Sequence, residues 1–203
     1  MANNVTIPAT GTGSTTPVVE TFDTTGSGGA QRQVVRVSHR TNPTSVLTRP
    51  ANTTAYAPGQ LIGSSTTAGS VTVPSFTASA SVNAQSGIIK RLRVVANQTS
   101  GISGVPLFVD LWTAAPTVTN GDGAAYAIAT GAANWLASFA FPPLVQGGDG
   151  AWAAAIPTTI YGSEVWFVCG ASSTLLYWTL WTNAAFTPIS AGTFTLTAEL
   201  LQD

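Results

Sequence analysis

Few residues in this chain have the chemistry to act as a site. His39 is the only histidine and Cys169 the only cysteine among 203 residues. A Ser-His-Asp arrangement would have to use His39, and no nucleophile-elbow sequence accompanies it. A lone base without an orienting partner predicts no catalysis. Cys169 lies in EVWFVCG, an apolar setting that predicts a buried structural thiol rather than a nucleophile. A single cysteine also offers no intramolecular disulfide and no cysteine zinc site. Two loops carry carboxylates, NGDG with Asp122 and GGDG with Asp149. A calcium site wants several oxygen ligands, and each loop brings one carboxylate, so both read as Asp-Gly turns. Convergence of the two would be one route to a glycosidase acid pair, and nothing else in the sequence supports it. No enzyme activity, cofactor or metal is expected.

The aromatic residues are the next candidates. Of six tryptophans, Trp112, Trp135, Trp166, Trp178 and Trp181 fall within alternating stretches, where packing or an interface is the expected role. Trp152, after QGGDG, is placed like a loop platform for a sugar ring. It supports an alternative reading as a carbohydrate-binding sandwich, with aromatics as platforms for sugar rings.

Composition narrows the classes further. Only 7% of residues are charged and 44% are hydrophobic, against about 25% charged in an ordinary domain. A surface this poor in charge suits a chain that hides much of itself in an assembly. All seven basic residues precede position 94, and six of the eight acids follow it, so a basic and an acidic region are expected. So few basic residues and an acidic balance disfavour nucleic acid as a partner. The apolar stretch from Val165 to Trp181 is broken by Gly170, Ser172, Ser173 and Thr174, and reads as two strands and a turn rather than a membrane helix. MANNVTIPATG has neither part of a secretory signal, so a soluble, cytoplasmically made protein is expected.

Positioning falls to short strands. Residues 1–47 read as an extended arm rich in Thr, Gly and Ser with one short strand, Gln33 to Ser38, and residues 48–203 as the folded domain. In the connecting stretch TRPANTTAYAPGQLIG, Arg49-Pro50 holds the chain extended, Pro58-Gly59 turns it and Gln60 to Ile62 enters a strand. Weak strands are expected over 70–73 and 76–82. A stronger one spans Gly87 to Asn97, with Ile88, Lys90, Leu92, Val94 and Ala96 on one face. Further strands are Pro106 to Trp112 and Asn134 to Phe141, the latter with Trp135, Ala137, Phe139 and Phe141 on one face, after a long loop over 115–133. Glu164 to Asn183 reads as a Trp-rich hairpin apolar on both faces, hence either covered on both sides or opened to a subunit interface. Thr193 to Leu201 alternates cleanly, with Phe194, Leu196, Ala198 and Leu200 inward. About eight or nine strands without a convincing helix predict an all-β antiparallel sandwich of jelly-roll type.

Several stretches resemble one family. VTIPATGTGSTTPVVET is similar to N-terminal segments of tailed-bacteriophage structural proteins. TRPANTTAYAPGQLIG, SGIIKRLRVV, LFVDLWTAAPTVTNGDGAAYA and AFTPISAGTFTLTAELLQD resemble a family of small phage virion proteins, over most of residues 45–203. Asn52 and Gln60 stand where acidic residues are expected in that pattern. The resemblance implies a non-enzymatic virion component. A tail or head-fibre adsorption module that binds host glycans, with Trp152 as the platform, is the alternative to one similar to capsid decoration (cement) proteins. Such a protein sits as a homotrimer on the outer capsid surface and bridges major capsid proteins. On that reading the expected capsid contact is the basic set Arg32, Arg36, Arg40, Arg49, Lys90, Arg91 and Arg93, with neither nucleic acid nor membrane as partner.

Overall fold

The computed structural model describes residues 39–77, 79–80, 83–156 and 164–202. The chain divides into two compact units at Val37/Ser38, and all described residues belong to the second. The expected arm strand Gln33 to Ser38, with Arg32 and Arg36, lies outside them.

Fourteen strands and one 3-10 turn (Ala132–Asn134) are present among the described residues. They are β1 (His39–Thr41), β2 (Thr44–Thr48), β3 (Gln60–Ile62), β4 (Ser75–Phe76), β5 (Ser86–Ala96), β6 (Leu107–Trp112) and β7 (Thr117–Val118). After them come β8 (Ile128–Thr130), β9 (Trp135–Ala140), β10 (Val145–Gln146), β11 (Ala151–Ala155), β12 (Val165–Val168), β13 (Leu176–Thr182) and β14 (Thr193–Gln202). Several are pieces of one interrupted strand. β1 and β2 pair successive parts of β14, β11 and β12 successive parts of β5, and β3 and β4 successive parts of β13.

With those pieces joined, the larger sheet runs β2-β14-β5-β11 and the smaller β3-β13-β6-β9, all antiparallel. Successive strands cross from one sheet to the other, except that β6 and β9 stay neighbours. This strand order is the jelly roll, an all-β antiparallel sandwich. Among the described residues, β1 and β2, which lie within the first 48 residues, pair with β14 in the larger sheet.

The inner faces meet in one core. β14 contributes Phe194, Leu196, Ala198 and Leu200, as its alternation predicts. Opposite them, β13 and β6 contribute Leu176, Trp178, Leu180, Leu107, Val109 and Leu111. Cys169 is buried, and burial pushes its thiol pKa up, which disfavours the thiolate.

The structure departs from the expected pattern at four places. Ile89, not Ile88, joins the core with Leu92 and Val94, because the β5–β14 register shifts opposite Glu199/Leu200. Lys90 and Arg91 form the resulting bulge, and both stay out of the core. A second shift, between Leu111 and Trp112, turns Trp135 outward while Ala137 and Phe139 point in. The expected Trp-rich hairpin is split: β12 pairs β5 in the larger sheet and β13 lies in the smaller, so the turn between them crosses the sandwich. Of the weak strands expected over 70–73 and 76–82, only Phe76 of the second lies in a strand among the described residues, as part of Ser75–Phe76, and residues 70–73 form none.

Candidate interaction face

The bulge and the sheet register decide where the charged residues meet. Lys90 and Arg91 occupy the bulge, Arg93 follows in β5, and Arg40 in β1 reaches toward β14. Glu199 of β14 accepts from Arg40 and, at 3.0 Å, from Arg91, while Glu164 takes Lys90. Arg40, Lys90, Arg91 and Arg93 thus share the outer side of the larger sheet. Exposed pairs of this kind contribute only about 0–1 kcal/mol each to stability, so fold stability does not account for the cluster. Arg40, Asn42, Arg91, Arg93, Thr197 and Glu199 line a small recess there.

An apolar row runs beside this belt. The register sets Val46 of β2 opposite Thr195, Thr195 opposite Val95, Val95 opposite Trp152 and Trp152 opposite Val145. All four apolar members are open to solvent, Val46 54%, Val95 36%, Trp152 42% and Val145 60%. Trp152 therefore stands in a strand on the sheet's outer face, not in a loop as expected. Its indole lies over Gly147, where an added Cβ would come within 2.2 Å of the ring. On the far side of the belt, Arg40 is opposite Leu201, Leu201 opposite Ile88, and Ile88 opposite the exposed Trp166. Of the two strands expected within Glu164–Asn183, β12 leaves Trp166 and Val168 exposed, whereas β13 is buried or half-buried along its length.

Arg49 is parted from the other basic residues. Its side chain is 1% exposed and meets the 2%-exposed Asp122 at 2.8 Å. Tyr56 donates to the same carboxylate, as does the Gly63 backbone N–H at 2.8 Å. The guanidinium also donates to Ile189 O at 3.1 Å and packs over the Tyr56 ring. Burial, and then the hydrogen bond to Asp122, raise the Tyr56 phenol well above its ordinary range. The constellation ties the Thr48–Gly63 stretch to the NGDG loop at the core edge. Gly121 is needed there, since a Cβ would lie 2.1 Å from Thr66 O. Asp122 is thereby occupied, while Asp149 sits in the turn between β10 and β11. The sequence reading missed this pair. The available signal was scarcity: isolated opposite charges in a nearly uncharged chain.

The outer side of the smaller sheet carries a second buried acid. Asp110 of β6 accepts from Ser138 Oγ and, at 3.2 Å, from Trp181 Nε1. Trp181 stacks on Phe108 at 4.2 Å and on Tyr126 at 5.8 Å. Burial raises the Asp110 carboxyl pKa, against hydrogen bonds from Tyr126, Trp135 and Trp181 that lower it. A folded-state pKa above the unfolded one contributes stability that is full below the ordinary carboxylate range and is lost as pH rises through the folded value. Thermal melts from pH 7.5 downward are therefore expected to show the wild type gaining on Asp110→Asn as the solution is acidified. Parallel curves would contradict this assignment.

No protein-family model matches this chain, and no curated protein does. Among solved structures, it is similar to a chain of the cyanophage Pam1 capsid asymmetric unit at 10% identity and a TM-score of 0.31, over 89% of this chain and 100% of that one. It is also similar to a chain of Desmodium yellow mottle tymovirus (10%, TM-score 0.28, 88% and 94% covered). A third similar chain is from Cocksfoot mottle virus (12%, TM-score 0.26, 99% and 95% covered). Nothing about function follows from likeness this distant. Among the described residues, no helix is long and apolar enough to cross a membrane.

Proposed function

We propose that the chain is a non-enzymatic virion structural protein, a capsid decoration protein that binds major capsid protein on the outer shell and works as a homotrimer. The observation that carries this reading is the outer face of the larger sheet, where an open row of Val46, Val95, Trp152 and Val145 borders a basic belt. A protein that worked alone would cover or break such a row, whereas a docking surface needs it. The low charge content and the resemblance of several stretches to phage virion proteins point the same way. Many copies, each making modest contacts around a shell, would stabilise it by multivalency rather than by one tight site. Trp152 among valines suits a protein surface better than a sugar ring, which wants convergent polar groups around it.

Purified protein added to undecorated, expanded heads is expected to co-sediment with them and to raise their resistance to heat. Failure to bind at micromolar protein would end the decoration reading.

A further inference from the structure

The charge pattern of this face says what kind of surface covers it. Four cations, Arg40, Lys90, Arg91 and Arg93, stand among two carboxylates, Glu164 and Glu199. Both carboxylates are already held, and Arg93 has no acidic partner among the described residues. Arg93 is exposed and borders the recess with Asn42, Thr197 and Glu199. Its lateral neighbours are Thr197 and Ala154, and Val95 of the apolar row lies two residues along the same strand, about 7 Å away. An unpaired guanidinium beside an open apolar row can hold a carboxylate bidentately while apolar side chains of the same partner cover the row.

We propose that this face docks on an acidic surface of a different protein chain, with a carboxylate of the partner seated on Arg93. The inference rests on the decoration reading and makes the partner's contacting surface acidic with apolar flanks. A second copy of this chain fits less well. Of its five described acids, Asp110 and Asp122 are buried and Glu164 and Glu199 are held on this same face, leaving Asp149. Nucleic acid fits less well too, because two carboxylates neutralise half of the belt and apolar rows flank it, whereas phosphate binding needs uncompensated cations. Charge then sets orientation and partner choice, and the apolar row supplies most of the affinity.

The test compares full-length wild type, Arg93→Glu, Arg93→Gln, Val95→Ser and the control Ala133→Glu, placed on the 3-10 turn before β9. Each is co-sedimented with undecorated heads over a range of NaCl, and the free proteins are compared by analytical ultracentrifugation. Arg93→Glu and Val95→Ser are each expected to weaken head binding about tenfold or more. Arg93→Gln, which adds no charge beside Glu199, should fall between Arg93→Glu and wild type, and Ala133→Glu should match wild type. Salt should weaken the wild type more than Arg93→Gln. Undiminished binding by both Arg93 variants overturns the inference and leaves the decoration reading standing. No binding by the wild type removes both, so the two failures are distinguishable. A free oligomer that comes apart in Arg93→Glu or Val95→Ser makes a second copy the occupant and overturns the proposal. Arg93-dependent binding of a DNA duplex in the absence of heads overturns it as well.

Discussion

Asp122→Ala is expected to destabilise the fold by about 3–5 kcal/mol, because breaking a buried ion pair strands the remaining charge. The variant would leave the Arg49 guanidinium, 1% exposed, with only Tyr56, Asn52 and the Ile189 carbonyl as acceptors. It would also orphan the Gly63 N–H and take from Tyr56 the acceptor of its hydroxyl. Against a total stability of about 5–15 kcal/mol for a typical domain, the loss is large. Denaturant titration reads it as a fall in midpoint, and amide exchange at Gly63 should rise sharply. Replacing both partners with Arg49→Met and Asp122→Leu together should cost less than the two single losses summed, since no charge is then stranded. Additive losses would show that the two side chains act independently.

Trp178→Ala is the second large effect, with an expected cost of about 3–5 kcal/mol. Trp178 is 0% exposed, fills the centre of β13 and stacks on Phe76 at 6.3 Å. Its indole N–H, however, has no hydrogen-bond partner among the described residues. Leaving a buried donor unsatisfied costs about 1–3 kcal/mol, so Trp178→Phe removes that penalty while keeping most of the ring volume. The phenylalanine variant should therefore lie much closer to wild type than to Trp178→Ala in unfolding midpoint. Equal losses for the two would mean that the indole N–H carries weight in the native state.

The fold was legible where alternation is clean. β14 reads inward and outward as its sequence predicts, and the strand count with no amphipathic helical stripe leads to the sandwich. Bulges were not legible, because a single inserted residue leaves no mark in a hydrophobicity pattern. That is why Ile88 and Ile89 exchange roles and why Trp135 turns outward. The partition of β12 and β13 between sheets was hidden for a related reason: two adjacent strands look alike whether their turn closes a hairpin or crosses the sandwich.

The basic cluster was visible as composition, and the structure collects Arg40, Lys90, Arg91 and Arg93 on one face. Arg49 lies apart from them, and nothing local in the sequence announces that it meets Asp122, 73 residues away. The stretch around it is consequently more than a passage into the sandwich, since it holds one half of the buried ion pair. The apolar row shows how far register adds to sequence: its members come from β2, β5, β10 and β11 and become neighbours only through strand pairing.

The central claim, a decoration role on the outer shell, is tested most directly by stoichiometry. Quantitative mass spectrometry of purified particles, measuring this chain against the shell subunit, is expected to give a fixed ratio comparable to the number of shell subunits. A few copies per particle, or none, would contradict the account.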